Sequence, residues 1–334
     1  MVVLKLTLLL LGLVGSAFGY FWVAERFGIV DRPNERSSHR RVTLRGGGVV
    51  FVVGVVLYYL LFGFVYSWFF GGLLAIALVS FLDDIWGVLR ASSGGSSGGT
   101  VEGSSGVPSG VRILVHFGAI LMMFADAGFY SLPWYWVVVA LVVGAGVINA
   151  YNFMDGINGI TGGYSLVVVA SLWVVNRYGS GVGFVDENLL YALALALLVF
   201  NFFNFRRKAR CFAGDVGSVS IAFIVVFLVG RLMIVTGNFA WIALLLVYGV
   251  DSVLTIVYRL MLRENIFEAH RKHLYQLLAN EHGLPHVKVS IIYMTVQAAA
   301  SFIFIFSPTW WTLLALSMSV GTTWLLLRIS LTRP

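Results

Sequence analysis

Asn149-Ala150-Tyr151-Asn152-Phe153-Met154-Asp155-Gly156-Ile157-Asn158-Gly159 sets a carboxylate and three side-chain amides among glycines, with an apolar run directly before it and another directly after. In a chain that is 59% hydrophobic and only 11% charged, with mean hydropathy +0.91, such a cluster belongs where a helix leaves a bilayer. Polar backbone and ionisable groups are costly at membrane depth and persist mainly where they line a wet, functional cavity. The stretch therefore reads as one wall of an active site facing the cytoplasm.

Working outward, the apolar runs fix the fold class. Crossing a bilayer core of about 30 Å takes about 20 apolar residues at about 1.5 Å per residue. Runs that meet this requirement lie near 4–24, 46–66, 68–85, 112–129, 133–151, 160–176, 189–204, 217–236, 239–258, 289–306 and 309–328. The expected architecture is all-α: a polytopic membrane protein with about eleven transmembrane helices in a single domain, 1–334. The runs do not alternate, so a β-barrel is excluded. An odd number of spans puts the termini on opposite sides. Of the 22 Lys and Arg residues, all but Lys5, Arg177 and Arg231 fall on one side, which places the N-terminus in the periplasm and the C-terminus in the cytoplasm. A cleavable signal peptide over the first run is the alternative, but it would require export of the basic segment that starts at Arg26.

The lone Cys211 excludes a disulfide framework and a thiolate zinc cage. The net charge of +7 reflects orientation in the membrane and not nucleic-acid binding, since the basic residues lie between hydrophobic runs without stacking aromatics. Residues 91–110 form a Ser/Gly-rich linker on the cytoplasmic side. By composition they read as an artificial insertion with no functional part.

Five polar constellations remain, and the topology puts all of them on the cytoplasmic side. The first runs from Asp31-Arg32-Pro33-Asn34 through His39 to Arg45-Gly46-Gly47-Gly48. It reads either as an ordinary basic loop or as a phosphate-binding turn whose bare glycine N–H groups approach the ligand. The second is Asp83-Asp84, at the inner end of the third span. Adjacent helical residues point about 100° apart, so the two carboxylates cannot chelate one ion side by side. The third is the opening stretch with Asp155, and the fourth is Phe212-Ala-Gly214-Asp215-Val-Gly217-Ser218. Taken alone, an Asp between glycines at a helix start is an N-cap. With Asp83, Asp84 and Asp155 at the same depth, it joins a set of oxygen donors that suits Mg²⁺ or Mn²⁺, ions that bridge carboxylates to substrate phosphates. The fifth, His270-Arg271-Lys272-His273, is a basic patch suited to a nucleotide diphosphate. Asp251, inside the ninth span, is either functional or a tie between helices.

In these residues the chain resembles the polyprenyl-phosphate N-acetylhexosamine-1-phosphate transferases, with the five motifs in family order from about residue 31 to 276. The resemblance implies that undecaprenyl phosphate attacks the sugar-side phosphorus of a UDP-N-acetyl sugar and releases UMP, at the bacterial inner membrane and with Mg²⁺. It implies that Asp215 is the metal ligand, that Asp83 orients or deprotonates the lipid phosphate, and that Asp84 and Asp155 are further acids needed for activity, with His273 counted among the catalytic residues. It places Phe212 near the uracil, Asn152 and Asn158 against the nucleotide, and His270 and Arg271 in a loop that closes on sugar and diphosphate. Asn34 and Arg45 are the substrate-binding residues expected in the first loop. Three positions depart from the family pattern. Gly87 stands where some relatives have a third acid, Asn158 stands where Asp is common, and Tyr275-Gln276 follows His273. The last points to the branch that starts O-antigen, and so lipopolysaccharide, synthesis. Membrane lipids are expected partners, and a homodimer is compatible with the sequence. A transporter or flippase for an anionic lipid-linked substrate is the competing reading, against which the acids lie at span ends and no internal repeat is visible.

Overall fold

The computed structural model describes residues 1–33, 38, 41–92, 106–179, 183–266, 268 and 270–332. It is an all-helical bundle with one two-residue ribbon. Helices α1 (Val2–Phe27), α2 (Val49–Phe62), α3 (Ser67–Ser92), α4 (Ser109–Ala127), α5 (Trp134–Met154), α6 (Ile160–Tyr178), α7 (Glu187–Asn204), α8 (Gly214–Thr236) and α9 (Leu246–Met261) are followed by a short α10 (Leu274–Gln276). Helices α11 (His286–Phe306) and α12 (Trp310–Thr332) complete the chain. Strands β1 (Val30–Asp31) and β2 (Thr43–Leu44) pair antiparallel between α1 and α2.

Local sequence explains where the helices begin and end. Gly28, Gly128 and Gly237 stop α1, α4 and α8 in the left-handed conformation, while Pro108, Pro133 and Pro285 precede α4, α5 and α11. Proline at a helix entrance loses no hydrogen bond, and glycine beyond the exit carries no Cβ penalty. Among the described residues, ten helical segments are long and apolar enough to cross a membrane, which makes this a multi-pass membrane protein.

The eleventh expected span is α2. With 14 residues it reaches only about 21 Å at about 1.5 Å per residue, short of a full crossing, and it is enclosed by neighbours instead. The ninth span opens as a 3₁₀ segment, Phe239–Leu245, before α9. The ribbon and α10, which continues into a π-helical turn at Leu277–Glu281, are too short to leave a periodic signal.

Helix α8 is apolar on every side and is the hub of the bundle, packed by α2, α3, α4, α5 and α6. At the opposite extreme, α12 buries only Trp324 and Arg328. It presents residues such as Trp311, Met318 and Leu326 outward, as a lipid-facing helix should. The linker reading of 91–110 needs correction at its end. Residues 93–105 lie outside the described set, but Val107 is buried, its N–H donates to Asp83 Oδ1 at 3.1 Å, and Ser109 opens α4.

The entrance of α8 meets the entrance of α2 at two glycines. A Cβ on Gly48 would stand 2.3 Å from the Cα of Gly217, and one on Gly217 would stand 2.6 Å from the Cα of Gly48. The contact is backbone against backbone, so no side chain can swing away. Gly217→Ala is therefore expected to lower the thermal midpoint by the equivalent of about 1–3 kcal/mol. Gly15→Ala, which meets nothing within 4 Å, should leave it unchanged or raise it. Scanning fluorimetry of both variants in detergent checks this.

Candidate active site

The site is built on the carboxylate of Asp84, which is wholly buried in the C-terminal half of α3. It accepts hydrogen bonds from Arg45 Nε at 2.6 Å, from the backbone N–H of Asp215 at 3.1 Å and from that of Val216 at 3.0 Å. A neighbouring helix thus supplies the cap and the negative charge that the first turn of α8 needs. Gly214 makes the approach feasible: it has φ +71°, and a Cβ there would sit 2.7 Å from Asp84 Oδ2. Arg45 also reaches Asp215, with Nη2 3.4 Å from Oδ1. Burial works against the Arg45 charge, but Asp215 and Asp84 more than offset it and raise its pKa.

Asp83 points away, as adjacent residues on a helix must. It accepts from Arg112 Nη1 at 2.6 Å and from Val107 N. The glycine triplet is likewise committed to structure: Gly47 N–H donates to Phe212 O and Gly48 N–H to Ala213 O. The expectation of bare N–H groups facing a phosphate is not met at these two residues.

A polar cavity of about 340 Å³ opens beside this core, and its walls include Asp31, Arg45, Asn152, Asp155, Asn158 and Asp215. Asn204, Phe212, Gln276 and His286 also face it. Sequence reasoning singled out neither Asn204 nor His286 for this site. Asn204 Oδ1 accepts from Gly159 N at 2.7 Å and its Nδ2 donates to Cys211 O at 2.8 Å, tying the opening stretch to the loop before α8. The signal available was an amide ending an apolar run just before a basic loop. Asn158 Nδ2 donates to Arg206 O at 2.8 Å, and Asn152 Oδ1 accepts from Ser218 Oγ at 2.9 Å. Burial above all, then the charges of Asp215 and Asp84, push Asp155 up to about 7 against the opposing influence of the nearby Thr161 hydroxyl and the charge of Arg45.

The basic loop is arranged less simply than its sequence implies. His273 is buried, does not line the cavity, and lies with Nδ1 3.6 Å from Asp251 Oδ1. Asp251 also accepts from Leu274 N, Thr255 Oγ1, Tyr293 OH and Trp324 Nε1, so it acts as a tie between helices. Burial, with His273, Arg259 and Lys272 nearby, pushes His270 down to about 4. The positive charge of the loop at neutral pH thus comes from Arg271 and Lys272 rather than from His270. Arg271 Nε and Nη2 are buried without a hydrogen-bond partner among the described residues. Tyr275 OH donates to Phe153 O at 2.8 Å, and a Cβ on Gly156 would meet that hydroxyl at 2.2 Å. This contact clamps the loop onto the turn that carries Asp155. Asn34 and His39 lie outside the described residues.

No group of three or more His, Cys, Asp or Glu side chains among the described residues is placed to hold one metal ion. Asp155 and Asp215 nonetheless share the cavity with the amides of Asn152 and Asn158. Hard oxygen donors of this kind, with one or two carboxylates, fit Mg²⁺ that takes its remaining ligands from water and substrate phosphate.

The raised pKa of Asp155 has a sign that stability can read. Against an ordinary value of 3.8, the folded protein binds the proton more tightly than the unfolded chain does. Folding stability from this group is therefore greatest below about pH 4, falls as pH rises towards 7, and is level above that. Asp155→Asn removes the dependence, so its gain in thermal midpoint over the unmodified, ligand-free protein is expected to be larger at pH 8 than at pH 5. Melting curves at the two pH values test it.

The family profile described as Glycosyl transferase family 4 matches residues 66–235, half of the chain. A probable undecaprenyl-phosphate N-acetylglucosaminyl 1-phosphate transferase from Bacillus subtilis is 26% identical over 290 residues, which are 81% of this chain and 75% of that protein. The decaprenyl-phosphate N-acetylglucosaminephosphotransferase of Mycolicibacterium smegmatis is 32% identical over 64% of this chain and 57% of its own length. The undecaprenyl-phosphate alpha-N-acetylglucosaminyl 1-phosphate transferase of Escherichia coli K12 is 27% identical over 62% of this chain and 56% of its own length. The chain thus spans little more than half the length of the last two. The matched segment contains Asp83-Asp84, the turn carrying Asp155 and the Asp215 entrance of α8, and with it the chain belongs to Glycosyl transferase family 4.

Proposed function

We propose that the protein transfers N-acetylglucosamine 1-phosphate from UDP-N-acetylglucosamine to undecaprenyl phosphate and releases UMP. The observation that carries this reading is a polar cavity, at one end of a membrane-spanning bundle, that brings Asp155, Asp215 and Arg45 together with Asn152, Asn158 and Phe212. The names of the relatives supply the sugar and the lipid. In the topology that accompanies the proposal, the N-terminus is periplasmic, the C-terminus is cytoplasmic, and the cavity opens from the inner membrane to the cytoplasm, where nucleotide sugars are made. Initiation of O-antigen, read from Tyr275-Gln276, is its finer form.

In the reaction, an oxygen of the lipid phosphate forms a bond to the phosphorus that carries the sugar. The anhydride bond to the other phosphorus breaks, and UMP leaves with the electron pair. One phosphoanhydride replaces another, so the protein has mainly to align an in-line attack and screen charge. Mg²⁺ held by Asp215, with Asp155 as a second donor nearby, would neutralise diphosphate charge. Arg45, fixed by Asp84, presents its guanidinium at the same wall. Arg112, held by Asp83, is suited to receive the lipid phosphate.

Purified protein supplied with undecaprenyl phosphate, UDP-N-acetylglucosamine and Mg²⁺ is expected to release UMP in step with a lipid-linked product, and EDTA should stop it. Asp215→Asn is expected to lower the rate by about 100-fold or more without lowering the thermal midpoint. Metal-independent movement of lipid without UMP release would select a flippase instead.

A further inference from the structure

A second cavity of about 770 Å³ adjoins the first, and the two share Asn158, Phe212, Ser38 and His286 as a common wall. Their charges are opposite. The first is lined by Asp31, Asp155 and Asp215 against the single Arg45. The second is lined by Arg41, Arg207 and Lys208 and by no carboxylate among the described residues. Arg41 comes from the segment before β2, whereas Arg207 and Lys208 come from the α7–α8 loop, so two separate parts of the chain bring cations to one opening.

These cations differ from several others near the surface that are paired with carboxylates. Arg210 pairs with Glu25, Arg177 with Glu187, Lys272 with Glu264 and Arg112 with Asp83. Arg41, Arg207 and Lys208 make no ion pair with a carboxylate among the described residues, and all three are exposed. Their backbones are nevertheless fixed. Asn158 Nδ2 donates to Arg206 O and reaches Arg207 O at 3.5 Å, Arg210 N–H donates to Phe203 O, and Thr43 Oγ1 donates to Arg41 O. Three unneutralised cations around a concavity focus field on its interior and draw in anions. Guanidinium and ammonium groups are the natural partners of phosphate.

We propose that this second cavity is a metal-independent receiving site for the nucleoside diphosphate of the donor, which passes from it across Asn158 and Phe212 to the carboxylate-lined cavity. The inference rests on the nucleotide-sugar reading given above. Its physical basis is the mismatch of the first cavity with a bare diphosphate: Asp31, Asp155 and Asp215 repel it until a metal ion is present. The cationic cavity has no such barrier, and it holds the anion at the threshold where the metal is met.

The test is titration calorimetry of the full-length protein with UDP in EDTA, at low and at high salt. The unmodified protein is expected to bind UDP without metal, more weakly as salt rises. Combined replacement R41Q/R207Q/K208Q should weaken that binding by about tenfold and flatten its salt dependence. Asp215→Asn, although it stops transfer, should not weaken metal-free binding. In turnover with Mg²⁺, the triple replacement should raise KM for the donor far more than it lowers kcat. The proposal is overturned if the unmodified protein does not bind UDP in EDTA, if the triple variant binds it equally well, or if Asp215→Asn abolishes metal-free binding. Absence of UMP release by the unmodified protein with Mg²⁺ and lipid would sink the transferase reading instead, and it is scored separately from the UDP isotherm.

Discussion

A carboxylate taken out of water must be met by donors on every side, and that demand at Asp84 fixes the geometry of the site. Its two oxygens satisfy the guanidinium of Arg45 and two N–H groups at the start of α8. Leaving such a charge unpaired costs several kcal/mol, so α3, α8 and the loop before α2 are locked to one another. The lock holds Asp215 at the head of the most enclosed helix of the bundle, with its carboxylate still open to the cavity. One acid is consumed by structure so that the other can face the cavity.

The opposite wall is held by amides and hydroxyls. Asn204 and Asn158 stitch the Asp155 turn to the α7–α8 loop, and Ser290 Oγ donates to Asn158 O from α11. Tyr275 reaches across from the basic loop to the same turn. The base of that loop is anchored through Asp251, whose oxygens collect donors from α9, α10, α11 and α12. Of the two ways of reading Asp251, these contacts are those of a tie. Asp84 and Asp251 are both buried acids that hold elements together, whereas the more exposed Asp155 and Asp215 line the cavity.

Much of this was legible in the chain. A transmembrane helix announces itself because about 20 apolar residues are needed to cross a bilayer, and each expected span is matched by a helical segment. The gathering of polar residues at one end of the bundle was legible too, because Asp83-Asp84, Asp155, Asp215 and the basic loop all fall at span ends. The partner of each acid was not legible. The divergence of Asp83 from Asp84 follows from helical geometry, but which of them turns inward depends on where Arg45 and Arg112 come to lie, and those are tertiary contacts. Four acids at one depth pointed to one cluster, whereas only Asp155 and Asp215 of the four line the cavity. The glycines of Gly46-Gly47-Gly48 looked like a phosphate cradle because bare backbone suits both roles. Here Gly48 serves close packing on Gly217, which sequence alone does not distinguish from ligand approach.

The sharing of Arg45 between Asp84 and Asp215 carries one more consequence. At 2.6 Å to Asp84 and 3.4 Å to Asp215, the guanidinium is a firm partner of the first and a loose partner of the second. In the proposed reaction a divalent ion at Asp215 would have only the weaker contact to displace, while the stronger one keeps the wall in place. Arg45 would then be available to the phosphates of the donor. The ion would supply positive charge that Arg45 alone does not provide against Asp31, Asp155 and Asp215, and compensation of this kind matters most next to a low-dielectric medium. Substrate binding can thus exchange ion pairs at the cavity wall without first creating an isolated charge there.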